Sequence, residues 1–354
     1  MGKKNILIFG ASYGSLFATK LLMAGHHVHL VCTPSTADLI NEKGTFVRVP
    51  VKGRDGLVEI GSQALPGSLG ASSPEGVDPG KYDLVVLGMQ EAQYGAHGVR
   101  ELTARVGTVG VPSLAIMNMP PLPYLRRIPG LDATPLGACF TDPDVWESFR
   151  PGLVSLASPD PQAFRPPNEP KNVLQVGLPT NFKAARFDAD QHTALIRDLE
   201  TDIEAARFDP GDGPIEVPVK LRVHDSIFVP LAKWPMLIAG NYRCIRDQEM
   251  IPIRDAVHGD LDLSKSVYDW VRDLCLRLGA DESDLVPFEK YAKAAEGLAK
   301  PSSAARTLFG GADQIERVDC LVQKVAGQQG MQSAALDEIV RFVDARLAGN
   351  RAAR

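Results

Sequence analysis

The sequence predicts an α/β domain followed by an all-α domain, and three observations predict it. Residues 3–33 contain a short apolar run, a glycine-bearing turn, a helical pattern and a second β-rich run. Further short apolar runs, each bounded by loop residues, recur to about residue 177. From residue 222 onward such runs fade and helical periodicity takes over.

The first stretch sets the α/β assignment. Ile6-Leu7-Ile8-Phe9 reads as a strand and ends in Gly10-Ala11-Ser12-Tyr13-Gly14. A helix follows with Leu16, Phe17, Leu21 and Leu22 on one face, and Gly25 stops it before the strand Val28 to Cys32. Such a βαβ unit brings backbone close to a pyrophosphate, and the positive end of the helix holds that anion. Gly10 supplies one glycine of the Gly-x-Gly-x-x-Gly fingerprint, Ser12 stands at the second, and Gly14 precedes the helix. A Rossmann-type dinucleotide-binding domain is expected, with Gly10, Ser12, Tyr13 and Gly14 on the cofactor's phosphate side. The alternative is a βαβ unit that binds nothing.

The end of the second strand bears on cofactor choice. An acid there grips the ribose 2′-hydroxyl of NAD. This chain has Thr33-Pro34-Ser35-Thr36 instead. The missing carboxylate and the hydroxyl of Thr33 favour NADP(H), although no arginine stands there either. His27 and His29 share a strand face, but no carboxylate or cysteine is near them in sequence, so no metal site is expected.

Thr45–Val51 and Leu57–Ile60 read as a hairpin, and residues 62–80 as a Gly-, Ser- and Pro-rich loop. Lys81–Gly88 and Ser113–Met119 read as buried parallel strands. Gln90, Gln93 and Asn118 follow or close these strands, on the rim where open α/β sheets bind ligands. Pro135–Phe140 reads as a further strand. Gly152–Ala157 and Asn172–Gly177 read as hairpin arms around a Pro-rich loop, 158–171. Residues 193–208 have helical spacing, broken by Asp209–Pro214. Beyond it, residues 262–278, 284–299, 313–328 and 333–348 read as helices, with Gly279 ending the first. The expected domains are 1–218, binding dinucleotide, and 219–354, helical, with a ligand site at their junction.

Composition narrows the function class. The 354 residues carry a net charge of −5, with no basic footprint for nucleic acid. No run of 18 apolar residues argues for a membrane span. The five cysteines lack pair spacing, and the first strand begins at the N-terminus. A cytoplasmic protein acting on a small molecule is expected, with a homodimer as the assembly considered.

The order of these features resembles the ketopantoate reductase family, the NADPH-dependent 2-dehydropantoate 2-reductases. The resemblance rests on the N-terminal nucleotide unit, the strands leading to Gln90 and Asn118, and the helical second part. It implies a C-terminal domain like that of 6-phosphogluconate dehydrogenase. The family has a lysine near the start of that domain and two asparagines at helical spacing. Lys233 in Leu231-Ala232-Lys233-Trp234 matches the lysine, and Asn241, eight residues on, matches the second asparagine. Leu237 and Pro235 depart from the pattern, and a rival register places Pro230 at the lysine. Ser302, in Pro301-Ser302-Ser303, matches a contact to the substrate carboxylate. The family's glutamate falls on Gln314, between Asp313 and Glu316.

The resemblance implies reduction of the carbonyl of a small 2-keto acid or related compound. Lys233 would be the proton donor. Asn118, Asn241, Ser302 and Gln314 would bind substrate. Gly10, Ser12, Tyr13, Gly14, Thr33, Gln90 and Asn118 would bind NADP(H). A reductase of another carbonyl or an imine, and a non-catalytic NADP(H)-binding redox sensor, are the alternatives. A short-chain dehydrogenase is set aside because no Tyr-x-x-x-Lys spacing occurs.

Overall fold

The computed structural model describes residues 2–353. The chain forms two compact units, and neither is a continuous segment. The first comprises Met1–Met89, Gln93–Met117 and Asp144–Asp225; the second comprises Gln90–Ala92, Asn118–Pro143 and Ser226–Arg354.

The first unit is built on β1 (Asn5–Phe9), α1 (Tyr13–Met23) and β2 (His27–Val31). The helix α2 (Pro34–Lys43), the hairpin β3 (Phe46–Pro50) and β4 (Leu57–Gly61), and β5 (Ser68–Ser72) follow. After them come β6 (Leu84–Leu87), α3 (Val99–Val109), β7 (Ser113–Ile116), β8 (Val154–Ser158), β9 (Gln162–Phe164), β10 (Val173–Leu178) and β11 (Phe182–Ala185). One sheet has eight strands in the order β12-β11-β8-β7-β6-β1-β2-β5, where β12 is Leu221–His224. Its pairings are parallel except β11 with β8. The central strands β6 and β7 are buried throughout. That burial is why they read as unbroken apolar runs and not as alternation.

Glycine fixes the approach of α1 to this sheet. A Cβ on Gly14 would lie 2.8 Å from Cγ2 of Ile8, so the helix could not sit as close on β1 with a larger residue. Phe17, Leu21 and Leu22 are then fully buried with Ile6, Ile8 and Leu30. A second sheet, β4-β3-β10-β9, completes the unit.

Several sequence expectations need correction here. β12 pairs in parallel with β11, so the first unit runs to Asp225, seven residues beyond the expected boundary at 218. β5 lies inside the expected loop 62–80, its polar and small residues hiding an edge strand beside β2. The segments read as hairpin arms belong to different sheets, since β8 pairs with β7 while β10 pairs with β3 and β9. Pro135–Cys139 is a 3-10 turn of the second unit and not a strand.

The second unit is helical. A single turn, Leu122–Leu125, precedes the long helix of the first unit, α4 (Asp190–Ala205). The helices of the second unit are α5 (Lys233–Met236), α6 (Ile253–His258), α7 (Leu261–Arg277), α8 (Phe288–Ala295), α9 (Ser303–Phe309), α10 (Val318–Gln328) and α11 (Ala334–Ala352). A 3-10 turn over Val229–Ala232 runs directly into α5, which passes into a π-helical turn over Leu237–Tyr242. Pro235 lacks an N–H and crowds the preceding turn, which interrupts regular α-geometry here. Gly240 lets the π-turn pack closely, because an added Cβ would fall on the Tyr291 hydroxyl. That hydroxyl donates to the Met236 carbonyl at 3.1 Å. Arg317 pairs with both carboxylate oxygens of Asp319 at 3.0 Å and with Asp344 at 2.7 Å, tying α10 to α11.

Candidate functional site

In the first unit the carboxyl ends of β1, β2 and β6 converge on the Gly10 turn. Gly10 donates to Val31 at 2.9 Å, and Gly88 donates to Phe9 at 3.1 Å. Gly10 has φ of 92°, and a Cβ there would lie 2.7 Å from Met89 Cγ. The turn therefore requires glycine both for conformation and for space. Ser12 occupies the position before α1 and makes no capping bond with its side chain. The first N–H groups of α1 thus have no side-chain acceptor, as an anion-binding helix start requires.

Tyr13 and Thr33 each have partners within the protein. The Tyr13 hydroxyl donates to the Pro161 carbonyl at 2.7 Å, and its ring meets Phe182 edge-on at 5.9 Å. Burial, followed by the charge of Asp160, holds the Tyr13 phenol well above its usual pKa. Its hydroxyl anchors the segment before β9, so Tyr13 shapes the turn through packing. Thr33 lies just before α2 and shares a hydrogen bond with the Thr36 hydroxyl at 2.9 Å.

A cation absent from the local sequence appears at this edge. Burial raises the Cys32 thiol to about 11, and the Arg165 charge acts in the opposite direction. Arg165, just past β9, therefore lies within electrostatic reach of the end of β2. Sequence reasoning searched for a basic residue beside Thr33 and passed over one 132 positions later.

In the second unit a pocket of about 370 Å³, open mouth included, gathers distant residues. Gln90, Asn118, Asn241, Ser303, Thr307 and Glu316 supply its polar lining, and Leu237, Ile315 and Val318 its apolar wall. Gln90, Asn118 and Asn241 are three of the residues expected from sequence. The structure gathers these three at one pocket.

Three expected residues are placed otherwise. Gln314 is exposed and does not line the pocket; Glu316, two residues on and only 8% exposed, does. The resemblance set the family's glutamate on Gln314, between Asp313 and Glu316, whereas the chain before α10 turns Glu316 inward. Ser302 is buried, and its hydroxyl accepts from Ala305 N–H at 3.1 Å and donates to the Asn241 carbonyl at 2.7 Å. It caps α9 and anchors the π-turn, and the neighbouring Ser303 lines the pocket. Lys233 is half-buried at the start of α5 and is not a lining residue. The π-turn also means that eight residues from Lys233 to Asn241 do not repeat the facing of a regular α-helix.

Glu316 has the most distinctive electrostatics. The Glu91 backbone N–H donates to one carboxyl oxygen at 3.3 Å, and the Asn118 amide to the other at 3.4 Å. The Tyr242 hydroxyl donates to the Glu316 carbonyl and accepts from Val318 N–H. Burial pushes the Glu316 carboxyl up to about 7, with the nearby Glu91 charge adding to the rise and the two hydrogen bonds opposing it. Glu91 is itself raised to about 7 by burial, against hydrogen bonds from Thr141 and Asp142. Near neutral pH the pocket therefore holds a carboxyl group that can donate or accept a hydrogen bond. Among the described residues no cluster of three or more His, Cys, Asp or Glu could hold a metal ion.

Comparisons with family models and with curated protein sequences found no match. Comparison with solved structures found extensive likeness. A 2-dehydropantoate 2-reductase from Methylococcus capsulatus is 13% identical with a TM-score of 0.65, over 99% of this chain and 98% of that one. A ketopantoate reductase from Ralstonia eutropha JMP134 is 16% identical with a TM-score of 0.63, over 98% and 99%. D-Mandelate dehydrogenase, solved with NADH and anilino(oxo)acetate, is 13% identical with a TM-score of 0.64, over 98% and 99%. The chain thus has the fold of the ketopantoate reductases, a Rossmann-like unit and a helical unit, over nearly its whole length.

Proposed function

We propose that this protein is an NADP(H)-dependent reductase of a small 2-keto acid or related carbonyl compound. The observation carrying this reading is the second unit's pocket, which joins Gln90, Asn118, Asn241 and Glu316 from four separate parts of the chain. The shared fold with reductases and a dehydrogenase of 2-oxo and 2-hydroxy acids supports it.

The Gly10 turn suits a dinucleotide pyrophosphate, since it has the space a Cβ would fill and leads into an uncapped helix. The reduced nicotinamide supplies the hydride when bound. Asn118, Asn241 and Glu316 are the proposed substrate-orienting groups, with Glu316 taking the role expected of Gln314. The amides donate and accept, while Glu316 donates when protonated and accepts when ionised. Lys233, outside the pocket lining, is the proposed proton donor on the family resemblance alone. Ser302 serves indirectly, by fixing the Asn241 backbone. Thr33 and Arg165 are the groups proposed to favour a 2′-phosphate, which supports NADP(H) over NAD.

Oxidation of NADPH by the purified protein across a panel of 2-keto acids, branched and aromatic ones included, tests the reading. Substrate-dependent absorbance loss at 340 nm, about the wavelength where reduced nicotinamides absorb, is expected. Tight NADPH binding with no turnover on any keto acid, aldehyde or imine would replace this reading with a redox-sensing one.

A further inference from the structure

We propose that Cys139 and Cys320 form a reversible disulfide when the protein meets a peroxide, making this thiol pair an oxidative modification site. Their sulfurs are 3.2 Å apart, although 181 residues separate them in sequence. A disulfide needs about 2.05 Å, so the sulfurs must close by roughly 1.2 Å.

The surroundings divide the roles. Cys139 ends the 3-10 turn Pro135–Cys139 and is 4% exposed. Cys320 lies in the first turn of α10 and is half-buried, so it is the sulfur more open to a small oxidant. The helix start favours a negative sulfur there. A hydrogen bond from the Cys139 thiol, assisted by Arg317 and Lys324, draws the Cys320 thiol below its ordinary range, against burial and the Asp319 charge. Cys139 is held above the usual thiol range. Of the three remaining thiols, Cys32 is raised to about 11 by burial, and the other two face backbone carbonyls. Cys244 donates to the Gly240 carbonyl at 3.3 Å, and Cys275 faces the Leu231 carbonyl at 3.9 Å.

The chemistry balances in two steps. The Cys320 thiolate attacks hydrogen peroxide, the O–O bond breaks, and with one proton taken up the products are a sulfenic acid and water. The Cys139 sulfur, giving up its proton, attacks the sulfenic sulfur; the S–S bond forms and the hydroxyl leaves as a second water. The dithiol loses two protons and two electrons, which the peroxide accepts. A thiol reductant reverses the bridge by exchange.

The bridge would fasten the first turn of α10 two residues beyond Val318, a wall of the pocket. It forms whether or not the pocket reduces a keto acid, so it stands apart from the proposed activity.

The experiment treats the reduced full-length protein with hydrogen peroxide, removes the peroxide, alkylates free thiols in denaturant, digests it and maps peptides by mass. The expected result is a cross-linked peptide pair joining Cys139 to Cys320, two hydrogens lighter than the sum and lost on adding dithiothreitol. Cys244 and Cys275 should stay alkylatable. Cys320→Ser should abolish the linked pair while Cys139 remains a thiol. Recovery of both cysteines as alkylated thiols, or of Cys320 as a sulfinic acid with Cys139 unlinked, would overturn the proposal. The unsubstituted protein alone decides it, so a variant that fails to fold does not obscure the answer.

Discussion

Replacing Gly240 with alanine tests whether close packing against the π-turn sets the geometry of the pocket. The added methyl would fall on the Tyr291 hydroxyl, with Tyr291 Cζ at 3.2 Å and Ile253 Cγ2 at 3.3 Å. Neither neighbour has room to yield, since Tyr291 is 6% and Ile253 8% exposed. Overpacking of this kind costs about 1–3 kcal/mol. Turning the Tyr291 ring aside would also break its bond to the Met236 carbonyl, at about 1 kcal/mol. Gly240→Ala should therefore destabilise the protein by about 2–4 kcal/mol. Tyr291→Phe alone should cost about 1 kcal/mol, the lost hydrogen bond. The pair should cost less than the sum, because phenylalanine removes the atom that meets the methyl. A coupling of about 1 kcal/mol or more is expected from denaturant unfolding of the four proteins. Purely additive effects, or an unchanged Gly240→Ala, would refute steric control by Tyr291. Because Asn241 and Tyr242 belong to the same turn, a destabilised but folded Gly240→Ala should also bind pocket ligands more weakly.

Lys233→Ala should retain the fold and NADPH binding while turnover falls by roughly 10²–10⁴, the scale of a lost general acid; unchanged turnover would remove Lys233 from the mechanism. Arg165→Ala should weaken NADPH binding by about 10-fold or more and leave NADH binding unaltered in fluorescence titrations, as one charge-assisted contact to a 2′-phosphate requires. Equal losses for both cofactors would deny Arg165 that contact. Glu316 has a folded pKa of about 7, above the ordinary carboxylate value of 4.5, so the folded protein binds its proton more tightly than the unfolded chain does. Its contribution is full below about 4.5 and declines as pH rises to about 7. Glu316→Gln should flatten the fall in stability between these limits, measured as denaturation midpoints against pH; an unaltered slope would show that Glu316 ionises normally.

The legible and illegible parts of the molecule differ by the range of the interactions that create them. The Gly10 turn was readable because strand, turn and helix signals are local and agree over residues 5–31. The helices α7 and α10 were readable from apolar periodicity, although their ends shifted. β5 and β12 were not, because an edge strand need bury little and carries a weak pattern. Discontinuity of the units was also hidden. Nothing local in 118–143 shows that it packs with the C-terminal helices and not with the strands around it.

The site divides along the same line, and Glu316 shows why. The family resemblance sets the carboxyl position on Gln314, because matching a short acidic motif takes no account of which residue faces inward. The structure fixes the position through three distant anchors instead. The Tyr242 hydroxyl bonds its backbone carbonyl and the Val318 N–H, Asn118 holds one carboxyl oxygen, and the Glu91 amide holds the other. A signal was present in Ile315-Glu316-Arg317-Val318-Asp319, where buried Ile315 and Val318 bracket the acid just before α10. Burial on both sides of it marks Glu316 as the inward acid of this segment. A loop can change length while the anchored helix keeps its register, so the nearer rigid element is the sounder origin for transferring a residue's role.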